Sequence, residues 1–502
     1  MEGGVMLGIN PAAEGWLRLQ APEHARFRSA CRKPDVAQRT RLRAILRANA
    51  QTDFAREHSF VDIKTHEDFA ARVPIGGHAS NVQPWLDRMK APEDNTLTAE
   101  TIHFFEQTSG STGKAKLIPF TNGLRDEIAR GVAAWMVGLS LEEPKAFGGP
   151  AYWSISPPLL KKHSPVAGIR AGHLDDTAYF PPKSAGAFSK WLIMSQAGKH
   201  ESPDAFYEHT LQRMLECRNL SFISVWSPTF FLNLDRRLRH RVGNDFLWSD
   251  LWPQLKVLSC WTDAQSSQWQ APVQERLGPK VIIQGKGLMA TEGITSVPYP
   301  GGDPVLAIRS HFYEFRDTET STIKLAHELT VGSSYEVILT TSGGLYRYAT
   351  GDIVEVTAHL DRTPRLKFLG RTGRSVDLVG EKLSEPQVIQ ALAGSRGFLA
   401  PHMNPCGYLL CLENPNSGNP DDRVIGRVEA ALATNPYYAQ ARQLGQLAPL
   451  KLRRLPHGFS ERLTYNWAIR RGLREGDVKL PALFQPDELD DLIQELGPQC
   501  TL

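Results

Sequence analysis

Ten consecutive residues constrain this chain more than any others: Gln107-Thr108-Ser109-Gly110-Ser111-Thr112-Gly113-Lys114-Ala115-Lys116. Small side chains let backbone amides approach an anion, hydroxyls donate to its oxygens, and two lysines supply charge. An apolar, strand-like run at residues 102–106 precedes the segment, and helical spacing over residues 124–137 follows it. Strand, loop and helix in that order are where α/β proteins hold phosphates, so the expected fold class is α/β. The loop is not a Walker A sequence. Counting back five positions from Gly113-Lys114 reaches Thr108 where glycine is required, and Ala115 stands where a magnesium-binding hydroxyl belongs. A P-loop kinase or GTPase is thereby disfavoured, while a plain Gly/Ser turn stays open on these residues alone.

At 502 residues the chain exceeds what one core usually serves, so a large domain and a smaller one are expected. A net charge of +3 gives no reason to expect a nucleic-acid or anionic-membrane partner. The six cysteines show no CxxC pair or zinc-type histidine spacing and read as reduced thiols. No basic flank with an apolar run opens the chain, and no apolar stretch has spanning length, so the reading is a cytoplasmic protein.

Residues 36–49 carry Val36, Leu42, Ile45 and Leu46 near helical spacing, which predicts an amphipathic helix. Short β-rich runs recur at 152–155, 222–225, 256–259 and 280–283, separated by helical stretches such as 204–217, a mixed α/β pattern. Residues 335–341 and 353–357 read as paired strands around Gly343, Gly344 and Gly351, forming a compact β unit. Gly370, Gly373 and Gly380 mark a hinge, and residues 414–422 a loop. The basic run at 235–241 lacks interleaved aromatics and reads as a solvated helix face.

The run from Thr108 to Lys116 resembles the first core motif of the acyl-adenylate-forming superfamily. The following Leu117-Ile118-Pro119-Phe120-Thr121 is similar to the GH3 family, the acyl-acid amido synthetases, although the loop is one residue shorter than the usual GH3 form. Residues 45–60, Val73-Pro74-Ile75 and the stretch Leu345-Tyr346-Arg347-Tyr348-Ala349-Thr350-Gly351-Asp352 support this resemblance in the expected order, over roughly residues 36–482. It implies a large N-terminal mixed α/β domain with a β-barrel-like unit (residues 1–372), a hinge (373–380) and a smaller mobile C-terminal α+β domain (381–502).

It also implies roles. Residues 108–113 and Lys116 would bind ATP phosphates. Glu292 would hold Mg2+, Thr291 would donate to the α-phosphate, and Met289 and Ala290 would lie along the adenine with Ala264 on its other side. An aromatic residue often stands at Met289's position in the family. Asp352 would accept from both ribose hydroxyls, and Arg371 would lie near ribose or phosphate. Lys479 would approach the α-phosphate from the mobile domain; Asp477 nearby replaces a family glutamine. Trp226, Ser227 and Phe230 would line the acyl site, where core packing is an equal reading of the aromatics. The implied reaction joins a small carboxylic acid to an amine, an amino acid in this family's pattern, through acyl-AMP. A thioester-forming CoA ligase and a catalytically inactive nucleotide-binding sensor are the alternatives. No heptad seam indicates a coiled-coil dimer.

Overall fold

A computed structural model describes residues 8–91, 94–107, 116–153, 169–171, 179–194, 203–403, 405–413, 421–471 and 478–496. The chain divides into two compact units: residues 1–226, 234–261 and 274–368 form the first, and residues 227–233, 262–273 and 369–502 the second.

In the first unit, the four β-rich runs become strands Ala151–Trp153, Phe222–Ser224, Val257–Cys260 and Ile282–Gly285. They form one parallel sheet in that order. Its first three strands are buried throughout, as a parallel sheet covered on both faces requires. The predicted amphipathic helix is Pro34–Ala48, with Leu42, Ile45 and Leu46 buried. A second, seven-stranded sheet contains Ser334–Thr340 paired antiparallel to Tyr348–Leu360, the expected β unit. The latter strand begins earlier than the apolar alternation indicated, because Tyr348 and Ala349 already pair with Leu339 and Ile338 across a register shift.

One element was not legible. The loop is followed not by the helix but by strand Leu117–Phe120, antiparallel to Phe104–Gln107. Four residues containing proline carry too little alternation to announce a strand. The helix Asn122–Glu142 comes next, its N-cap Thr121 accepting from the Leu124 amide at 3.2 Å. Gly131 on this helix lets Ile294 come close: a Cβ there would lie 3.1 Å from its side chain.

The second unit has its own apolar core, in which Leu383, Val388, Leu399, Leu410, Val428 and Leu483 are fully buried. Strands Gly397–Met403 and Cys406–Glu413 pair antiparallel, and Lys451–Leu455 adds in parallel. Helices Glu385–Leu392 and Asp421–Leu432 belong to the same unit, an α+β arrangement.

Among the described residues no helix is long and apolar enough to cross a membrane. The basic run 235–241 is a helix face, on Pro228–Val242, where Arg237 pairs with Asp204, Arg239 with Asp235 and Arg241 with Glu208.

Candidate functional site

Residues 108–115, the core of the expected phosphate loop, lie outside the described residues. What is described is its base. Gln107 and Leu117 are register partners, so the loop closes a hairpin, and Lys116 stands half-buried where it re-enters the sheet.

The clearest construction surrounds Glu292. Met289 pairs with Ile294 and Ala290 with Gly293, leaving Thr291 and Glu292 as the two-residue tip of a tight hairpin. Glu292 is only 3 % exposed. Both polar groups of Ile294 are held: its amide donates to His311 Nε2 at 3.0 Å, and its carbonyl accepts from the Tyr313 hydroxyl at 2.6 Å. Gly293 is required beneath this clamp, because at φ +156° a Cβ would sit 2.5 Å from His311 Nε2.

His311 rests in turn on a fully buried carboxylate. Its Nδ1 lies 2.9 Å from Glu127 Oε2; since Nε2 accepts, Nδ1 carries the proton and donates. Glu127 also takes the Ser342 amide at 3.1 Å and hydroxyl at 2.7 Å, and pairs with Arg41. Burial opposes the charge on Glu127, but His311, Arg41 and Ser342 outweigh it and hold its carboxyl at about 2. Gln38 adds support, donating to the His311 carbonyl and accepting from the Tyr313 amide. None of these supporting residues was legible in the sequence: Glu127 and His311 lie 184 positions apart, and no spacing rule links them.

Asp352 is 2 % exposed on strand Tyr348–Leu360, and its amide donates to Thr350 Oγ1 at 3.0 Å. Gly351 before it has φ +79°, a left-handed conformation that turns the strand locally. The segment leading to it is anchored by Arg347, whose guanidinium binds Glu314 at 2.8–3.1 Å and the Val73 carbonyl at 2.9 Å. Burial opposes the Glu314 charge, yet His66 and Arg347 lower its pKa. Ala349 N donates to the Gly76 carbonyl at 2.9 Å. Two motifs far apart in sequence, at 73–75 and 345–352, are thus stitched side by side.

Trp226 belongs to the same unit. Its ring lies 5.8 Å from that of Trp261 and 5.0 Å from the Lys286 ammonium, which bonds Ser224 Oγ at 2.6 Å. The first unit therefore carries Lys116, Trp226, Met289, Ala290, Thr291, Glu292 and Asp352.

The second unit carries Ser227, Phe230, Ala264, Arg371 and Lys479. Ser227 and Thr229 share a 2.6 Å hydroxyl bond at the start of helix Pro228–Val242, and Phe230 is 1 % exposed. Ala264 has φ +51°, an uncommon left-handed position for a residue with a Cβ. Lys479 is exposed between buried Val478 and Leu480. Its stretch is fastened by Glu385, which accepts from the Ala482 amide at 2.9 Å, and by Arg374, which bonds the Leu483 carbonyl at 3.1 Å and Glu488 at 2.7 Å. Glu381, fully buried, accepts from the amides of Leu378 and Val379 and from the Tyr408 hydroxyl, so part of the glycine-marked segment 373–380 is tied down.

Comparison with known proteins covers most of the chain. Residues 23–242 match the GH3 family N-terminal domain, 304–371 the GH3 family central domain and 390–488 the GH3 family C-terminal domain. The probable indole-3-acetic acid-amido synthetase GH3.12 of Oryza sativa subsp. japonica is 21 % identical over 92 % of this chain and 93 % of its own length. The match to indole-3-acetic acid-amido synthetase GH3.3 of Arabidopsis thaliana, 28 % identical, spans 33 % of this chain and only 31 % of that relative. The solved GH3.15 acyl acid amido synthetase has the same fold, with a TM-score of 0.77 at 18 % identity over 92 % of this chain and 94 % of that one. With its N-terminal, central and C-terminal domains all matched, this chain belongs to the GH3 family of acyl-acid amido synthetases, ligases that form an amide through an acyl-adenylate.

Proposed function

We propose that this protein uses ATP to activate a small carboxylic acid as its acyl-adenylate and passes the acyl group to the amine of an amino acid. A carboxylate oxygen of the acid attacks the α-phosphorus of ATP, and diphosphate leaves. The amine nitrogen then attacks the acyl carbon, loses a proton, and AMP departs with the electron pair of the broken acyl–oxygen bond. The observation that carries this reading is the Glu292 hairpin: a buried carboxylate at the tip of a turn clamped through Ile294 by His311 and Tyr313. Preorganised groups aimed at developing charge supply a large share of such catalysis.

Glu292 suits magnesium. Mg2+ commonly takes one or two carboxylates and completes its shell with phosphate oxygens and water, and a single buried carboxylate oxygen donor meets that need. When bound, the ion neutralises charge on the phosphates. Asp352 accepts from the ribose hydroxyls. Thr291 donates to the α-phosphate, Lys116 and residues 108–113 hold the β- and γ-phosphates, and Met289, Ala290 and Ala264 frame adenine. Lys479 and Arg371 place cations by the phosphate and ribose, while Trp226, Ser227 and Phe230 shape the acid site. Residues 373–380 serve as the hinge between an N-terminal domain, 1–372, and a C-terminal one, 381–502, which rotates between the half-reactions.

The test incubates the enzyme with ATP, a panel of carboxylic acids and either amino acids or coenzyme A. Acid-dependent diphosphate release identifies the acid, and product mass identifies the acceptor. An amide supports the proposal; a thioester, or no diphosphate with any acid, overturns it. Crosslinks across the hinge that leave both half-reactions intact would remove the rotation.

A further inference from the structure

Away from the hairpin, the first unit contains a cavity of about 400 Å3 whose lining includes Arg26, Lys33, Thr40, Arg41, Arg130 and Arg309. These residues come from helices Pro11–Arg32, Pro34–Ala48 and Asn122–Glu142, their linker, and the loop after strand Val305–Leu306. Cations so gathered repel one another unless something answers them. Two carboxylates do so in part. Glu23 pairs with Arg309 at 2.5 Å and Arg26 at 3.5 Å, and Glu127 pairs with Arg41.

Lys33 and Arg130 have no carboxylate within ion-pair distance among the described residues, and the half-buried Arg130 guanidinium makes no hydrogen bond among them. Arg41 Nε is buried and likewise unbonded. Burial, followed by the nearby charge of Arg41, lowers the Arg130 pKa from the ordinary arginine value. Lys33 is exposed and Arg130 half-buried, so of these three Arg41 Nε is the buried donor without an acceptor among the described residues, an uncommon state that asks for an explanation.

We propose that this groove binds a compact oxyanion carrying at least two negative charges. Planar guanidinium forks match phosphate and carboxylate oxygens alike. A cavity of this size suits a small molecule. Its surplus cations remain after Glu23 and Glu127 are counted, so a singly charged ion would leave the imbalance largely standing. The groove is distinct from the proposed nucleotide site, because none of its lining residues is among those assigned to ATP.

The experiment follows thermal unfolding of the full chain against inorganic tripolyphosphate and, separately, citrate, each with sodium chloride at matched ionic strength. The expected result is a saturable rise in Tm with at least one anion beyond the chloride control. A stronger response to tripolyphosphate assigns a phosphate-type ligand, and a stronger response to citrate a carboxylate-type one. Arg130→Gln and Lys33→Gln should each weaken the response about tenfold in apparent affinity, the scale of one lost charge-assisted hydrogen bond. Glu292→Gln should leave it intact, which separates this groove from the nucleotide site. Absence of any saturable rise overturns the proposal. So does a full response in both groove variants, or its disappearance in Glu292→Gln.

Discussion

The Glu292 hairpin and the Lys479 stretch are both assigned to the same phosphates, yet they are built in opposite ways. Glu292 is buried, and a neighbouring backbone position is gripped on both polar groups by His311 and Tyr313, with Glu127, Arg41 and Ser342 behind them. Lys479 is exposed, and the residues after it are fastened through Glu385, Arg374 and Glu488. Buried hydrogen-bonded networks of this kind resist rearrangement, although Arg41 Nε in this one has no acceptor among the described residues. A lysine at an exposed position carries a compact, hydrated charge on a flexible four-carbon stem. Under the proposed function, the contrast suits a fixed metal-holding carboxylate and a cation that arrives with a moving domain.

The strongest way to break this contrast is to remove its buried foundation. Glu127→Ala leaves Arg41 and His311 without their carboxylate, and we expect a loss of about 3–5 kcal/mol in urea unfolding. An unchanged midpoint would show that the network is not holding the fold. The loss has a pH signature. Because the folded pKa is held below the ordinary glutamate value of 4.5, at about 2, the stabilisation is fully present above 4.5 and fades as pH falls toward 2. The gap between wild type and Glu127→Ala should therefore narrow on acidification through that window.

Next in size is the hairpin itself. Glu292→Gln and, on the neighbouring strand system, Asp352→Ala should each slow acid-dependent diphosphate release by roughly 10²-fold or more, as losing one preorganised contact does. Near-normal rates in both would reject the site. Gly293→Ala introduces a Cβ against His311 and should cost about 1–3 kcal/mol of stability, by overpacking, together with part of the rate. A silent substitution would mean the clamp yields freely. Lys479→Ala should change stability least, within about 0.5 kcal/mol, as surface substitutions do, while still lowering the adenylation rate. A stability loss comparable with that of Glu127→Ala would erase the distinction between the two regions.

The sequence was most legible where a local pattern is also a physical requirement. Three of the four apolar runs became the buried strands Ala151–Trp153, Phe222–Ser224 and Val257–Cys260 of one parallel sheet, because strands buried on both faces have little choice but apolar side chains; the fourth, Ile282–Gly285, pairs with Val257–Cys260 at partly exposed positions. The helix at 36–49 announced itself by its apolar face. Leu117–Phe120 did not, since a four-residue strand gains its stability from pairing with Phe104–Gln107 and not from its own pattern. The segment 373–380 was marked in sequence by its glycines, but Glu381 and Arg374, whose side chains bond in and beside it, look in sequence like ordinary surface charges.

By itself the sequence determined the α/β class, the failure of the Walker spacing, the GH3 resemblance and the short list containing Glu292 and Asp352. Tertiary structure alone decided what stands behind them: that Glu127 and His311 meet, that Arg347 binds Glu314 and the Val73 carbonyl, and that Lys33, Arg41 and Arg130 share one cavity. The reason is the range of the interactions. Backbone periodicity and turn chemistry act over a few residues and leave their mark on neighbouring letters. A buried ion pair or a cluster of cations joins positions tens to hundreds of residues apart, and its energy depends on burial and geometry that exist only after the chain has folded.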